Sequence, residues 1–95
     1  MPAVHFYVRW PDGKEEQCYS PSTVINEHFK PGDTMPLSEF VPRAEQALTE
    51  ASNRVAQRFG YHCTSAASQL EQIKHRASLI EDKKREVVVM SMHEI

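Results

Sequence analysis

The sequence predicts an α+β fold. It is a two-layer sandwich in which a small sheet, an N-terminal β-hairpin plus a C-terminal strand, packs on two long helices and one short helix. Three observations carry this prediction. Residues 3–10 alternate apolar and polar side chains, the period of a half-buried strand. Two later stretches repeat apolar residues every three or four positions, the period of an amphipathic helix. An apolar run then returns at Val87-Val88-Val89-Met90, so strands flank the helices instead of alternating with them. At 95 residues the chain, taken as 1–95, is one domain with one modest core.

The elements follow in order. Val4, Phe6, Val8 and Trp10 form one face of the first strand, and Ala3, His5, Tyr7 and Arg9 the other. The strand stops at Pro11-Asp12-Gly13, a turn in which Pro presets φ and Gly accepts the left-handed region. The return strand, Lys14 to Tyr19, is more polar. Ser20 is a natural N-cap with Pro21 at the first helical position, so a short helix is expected there, with Val24, Ile25 and Phe29 inward. Pro31-Gly32 ends it. Thr34 to Leu37 is extended, because Met35 precedes a proline.

Ser38 is the expected cap of the first long helix, whose stripe is Phe40, Val41, Ala44, Leu48, Ala51, Val55 and Phe59. Pro42 falls in the first turn, where it is tolerated. Arg58 and Gly60 suit the C-terminal end. The second long helix is expected from about Ser65 to Glu81, with Ala66, Leu70, Ile73, Ala77 and Ile80 inward. Thr64 or Ser65 would cap it, and Ser68-Gln69-Leu70-Glu71 also matches a capping box. The first strand is the most apolar of the hairpin and is placed centrally. A sheet with helices on one side leaves His5, Tyr7 and Arg9 open to solvent or to another subunit.

Composition excludes several classes. Thirteen acidic residues against eleven Lys and Arg leave a net charge of −2, whereas nucleic-acid binders draw most of their affinity from a basic excess. The densest basic stretch, Lys74, Arg76, Lys83, Lys84 and Arg85, is interrupted by Glu81 and Asp82 and reads as a solvated face. No nucleic-acid partner is expected. No apolar run approaches the roughly 18 residues of a membrane span. Met1 to His5 lacks a basic region followed by an apolar one, so the expected compartment is the cytoplasm. Two cysteines, Cys18 and Cys63, are expected to be free thiols there.

Candidate chemistry is sparse. His62-Cys63, and His5 with Cys18, lack the spacing of a metal site, so neither metal nor cofactor is expected. The three glycines, Gly13, Gly32 and Gly60, fall at turns and caps, which leaves no phosphate-cradling loop. Cys18, just before the expected short helix, is the weak candidate nucleophile, with His5 or His28 as base. The plainer reading is a half-buried strand residue. Ser20, Ser22 and Thr23 are candidate anion ligands at that helix start, against plain capping as the commoner role. Tyr7, Arg9, Val88, Met90 and Met92 are candidate interaction residues, because the helices do not cover that sheet face and the last strand is apolar on both sides.

Two strings carry more information than the periodicities. Trp10-Pro11-Asp12-Gly13, followed by Cys18-Tyr19-Ser20-Pro21-Ser22, resembles a family of small bacterial nitrogen-starvation-response proteins. The resemblance continues through Ala47-Leu48 and Arg54-Val55 to Tyr61, Cys63 and Leu70, and covers about the first 75–80 residues. The family is encoded in gene clusters built around a nitrilase. Those clusters also carry a radical-SAM protein, an acetyltransferase-like protein, a relative of a purine-synthesis enzyme and a flavoprotein. The resemblance implies a context, nitrogen or nitrile and cyanide assimilation in a bacterial cytoplasm, and assigns no catalytic residue. The expected function is that of a non-catalytic accessory protein that binds a pathway partner or itself. The alternatives are a thiol-dependent enzyme using Cys18 and a small-anion sensor using the Ser20–Thr23 helix start.

Overall fold

The computed structural model describes residues 3–60 and 64–95. Strand β1 is Val4–Arg9, β2 Glu15–Ser20, β3 Thr34–Pro36 and β4 Glu86–Glu94. Helix α1 is Leu37–Phe59 and α2 Thr64–Ser78. A 3-10 segment, Thr23–Glu27, follows β2. The α+β class and the two layers are as the periodicities predict. The sheet has one strand more than expected among the described residues. Its order is β2-β1-β4-β3, with antiparallel pairing throughout. The extended Thr34–Pro36 segment is the fourth strand, at an edge, where a proline costs no ladder bond.

The core lies between the inner sheet face and the helices. Val4, Phe6, Val8, Cys18, Met35, Val87 and Val89 come from the sheet. Leu37, Phe40, Ala44, Leu48, Ile73 and Ala77 come from the helices. Phe40 sits edge-on to Trp10 at 5.5 Å between ring centres and against Phe29 at 5.4 Å. These rings join the hairpin end, the 3-10 segment and α1 into one packing unit. Trp10 is an anchor of this core, as expected, although its indole N–H is buried without a partner.

The starts of the short helix and of α1 differ from the sequence expectation. The short helix is capped by Ser22 and not Ser20, because β2 runs on through Ser20 and keeps it extended. Pro21 therefore precedes the cap. Helix α1 begins at Leu37, not after a Ser38 cap. Its first N–H groups are met by tertiary contacts: Leu37 donates to the Arg85 carbonyl at 2.9 Å and Ser38 to the Lys83 carbonyl at 3.0 Å. Helix α2 begins at Thr64, so the Ser68–Glu71 box lies inside it and caps nothing. That helix also ends earlier than expected, at Ser78. The Lys83 ammonium caps its end by donating to the carbonyls of Ala77 and Ile80.

Strand β4 contains a β-bulge. Tyr7 pairs with Ser91, but the next residue, Val8, pairs with Val89. Met90 is the extra residue. The bulge reverses the alternation along β4. Val87 and Val89 point inward before it, and Met92, opposite Phe6, points inward after it. Ser91 and His93 consequently share the outer face with Tyr7 and His5.

Candidate functional site

The outer sheet face carries His5, Tyr7, Arg9, Tyr19, Val88 and His93, with the exposed Met90 at the bulge. No helix covers it among the described residues. Alternation places these side chains there, since each is a strand position between two core positions. His5 meets Tyr19 edge-on at 6.1 Å between ring centres, and Tyr7 meets His93 at 6.0 Å. Arg9 pairs with Glu15 across the hairpin at 3.2 Å. Of the expected interaction residues, Tyr7, Arg9, Val88 and Met90 lie on this side. Met92 does not: the bulge turns it onto the inner face, where it packs against the core. Period-two counting from Val88 cannot detect an inserted residue, which is why it groups Met90 with Met92.

Cys18 is a free thiol with only 1% of its surface exposed, on the inner face opposite Phe6. Burial, reinforced by the nearby Glu16 carboxylate, pushes its thiol up to about 12. A nucleophile needs the opposite shift. Neither expected base reaches it. His5 is on the other sheet face, and His28 bonds Glu50 of α1 at 2.5 Å. Cys18 is therefore a core residue in this fold. His62 and Cys63 lie outside the described residues. Among the described residues no three His, Cys, Asp or Glu side chains converge on a metal position.

The Ser20–Thr23 segment is folded into itself. Ser20 is fully buried, and its hydroxyl donates to the Ser22 carbonyl at 2.8 Å and accepts from the Ser22 N–H at 3.4 Å. The Ser22 hydroxyl accepts from the Val24 N–H at 3.3 Å. These groups are consumed by capping, and the helix they cap is only five residues long. The basic stretch is likewise tied to the fold. Lys74 pairs with Glu45 at 3.6 Å, Lys83 caps α2, and the Arg85 guanidinium donates to the Pro11 carbonyl in the hairpin turn.

Among the described residues, cavities open to solvent include the following two. One, of about 250 Å³, lies between the helices over Leu48, Ala66 and Leu70, with Ser52 and Asn53 at its rim. The other, of about 430 Å³, lies where the first turns of α2 meet the edge of β2. Its lining is Tyr19, Thr64, Ser65, Ser68, Gln69 and Gln72. Gln69 is the residue that sequence reading missed. It appears there only as part of an unused capping box, whereas in the fold its Oε1 accepts the edge-strand N–H of Tyr19 at 3.0 Å. No helix of the described residues is long and apolar enough to cross a membrane.

No curated protein and no solved structure matches the chain. A family model, described as nitrogen starvation-induced protein NitG, matches residues 5–92. That span takes in the Trp10–Gly13 turn, the Cys18–Ser22 string, both long helices and nearly all of β4. It therefore extends past about the first 75–80 residues that the motif resemblance covers. The chain belongs to the family of nitrogen starvation-induced protein NitG.

Proposed function

We propose that this protein is a non-catalytic accessory component of a nitrogen-assimilation pathway, acting in the cytoplasm by docking through its outer sheet face onto a pathway enzyme or a second copy of itself. The observation that carries this reading is the one-sided sheet. The helices cover the inner face, and the outer face presents Tyr7, Tyr19, His5 and His93 around Arg9, Val88 and Met90. Aromatic side chains and Arg at the centre of a patch are the residue types that dominate protein interfaces. The nitrile and cyanide setting comes from the resemblance to proteins of nitrilase gene clusters.

The test is size-exclusion chromatography with light scattering, alone and after co-expression with the nitrilase and flavoprotein of such a cluster. A dimer, or a complex with one of these enzymes, is expected. Tyr7→Glu with Val88→Glu places two carboxylates on the outer face without touching the core and should dissociate it. A strict monomer that co-elutes with no cluster enzyme sinks the reading.

A further inference from the structure

The 430 Å³ cleft at the start of α2 has features the docking reading does not use. A helix leaves its first four N–H groups without intrahelical partners, and the dipole places partial positive charge at that end. The hydroxyls of Thr64, Ser65 and Ser68 stand around this end of α2 and line the cleft. Gln69 supplies a second and independent feature. Only 7% of it is exposed, and its Nε2 is buried with no hydrogen-bond partner. The orientation of this amide is dictated by β2. Tyr19 N–H points away from β1 at the sheet edge and needs an acceptor, so Oε1 must face it. The NH2 group of this cleft-lining residue is then buried with its donors unused among the described residues. An unmet buried donor is costly, and an acceptor-bearing ligand relieves that cost.

We infer that this cleft is a binding site for a small carboxylate, whose oxygens accept from the first-turn N–H groups of α2 and from the Gln69 amide. The cleft volume falls within the roughly 300–1,000 Å³ of small-molecule sites. None of the described side chains that line it is cationic. Neutral donors with a helix end suit one negative charge and leave the second charge of a phosphate dianion uncompensated. The site lies at the sheet edge and shares only Tyr19 with the outer face, and acetate binding is read without any docking partner.

The experiment is a titration of the 15N-labelled full chain with sodium acetate and, separately, sodium phosphate, with sodium chloride at matched ionic strength as reference. Acetate should give saturable shifts at the amides of Ser65 to Ser68 and at the Gln69 side-chain NH2. The Ser22 and Thr23 amides should stay still. Gln69→Glu keeps an acceptor for Tyr19 N–H but replaces the donor with a charge, and should weaken acetate at least tenfold, about 1.4 kcal/mol. Should that variant fold poorly, Ser65→Asp supplies a carboxylate that favours the helix start and should block the site. Shifts that never saturate, or that chloride reproduces, overturn the proposal. So does acetate binding that both variants leave unchanged. Saturable binding of phosphate without acetate overturns the carboxylate assignment.

Discussion

Deleting Met90 will leave this protein folded and nearly as stable as before. Met90 is the residue by which β4 exceeds its partner between the Val8–Val89 and Tyr7–Ser91 pairs. Its removal gives an uninterrupted strand in which Val87, Val89 and Met92 still point inward and Val88, Ser91 and His93 outward. Closing the bulge restores ladder bonding worth about 0.5–1.5 kcal/mol. The lost side chain is 37% exposed, so its partial burial is worth about 1 kcal/mol. The two effects oppose, and the net change should stay within about 1 kcal/mol of wild type. An unbulged β4 gives a different result. With strict alternation from Val87 and Val89, Ser91 would start inward and Met92 outward, and the same deletion would exchange them, gaining roughly 1.5–3 kcal/mol from Met92 and about 1–3 kcal/mol more from release of the Ser91 hydroxyl. The sum is a large part of the roughly 5–14 kcal/mol expected of a domain this size. Urea unfolding followed by the single tryptophan, Trp10, separates the two cases. With a slope near 1–2 kcal/mol per molar, the midpoint should move by less than about 1 M. A gain of the size expected for the unbulged strand, or any change above about 2 kcal/mol at unchanged slope, refutes the bulge assignment. The control is deletion of Tyr7 from β1, which has no extra residue to absorb it. That change forces Phe6 and Val8 onto opposite faces and should abolish folding.

Other expectations follow from the core and the helix ends. Phe40→Ala removes a fully buried ring that touches Trp10 and Phe29, and should cost about 3–5 kcal/mol in the same urea assay. Cys18 should react with a thiol reagent at neutral pH far more slowly than a free cysteine does, and at the normal rate once urea unfolds the chain; this is read in a Cys63→Ser background. The folded thiol holds its proton to about 12, against about 9 unfolded, so its contribution is complete below about pH 9 and lost as pH rises toward 12. Stability should therefore fall between pH 9 and 11 more steeply in wild type than in Cys18→Ala; parallel curves would contradict the burial of this group. Gly60→Ala places a Cβ in open space but on a backbone with φ of +79°, so it should cost about 1 kcal/mol by conformation alone.

The site was less legible than the scaffold, for reasons that particular residues make clear. Alternation in β1 places Tyr7 and Arg9 on the outer face correctly, because a strand without insertions obeys period two. In β4 the same counting misplaces Met92, since a bulge is defined by the partner strand and leaves no mark in local composition. Ser20 has the side chain of a cap, yet Ser22 does the capping, because pairing with Val4 holds Ser20 in β2. Gln69 has no sequence signal of its own. Its role arises because α2 lies along the edge of β2, a relation between residues 50 positions apart.

The class, the two long helices, the hairpin and most of the core were legible in the amino-acid order, since they follow from periodicity and turn chemistry within short windows. Its two motif strings also pointed to the nitrogen-starvation family that the match over residues 5–92 establishes. Tertiary structure alone decided the fourth strand, the bulge, the burial of Cys18 and the cleft beside Gln69. Each depends on which backbone groups and side chains meet across the fold. Such meetings are set by packing and by the need to satisfy N–H and C=O groups at sheet edges and helix ends, over separations that no local window spans.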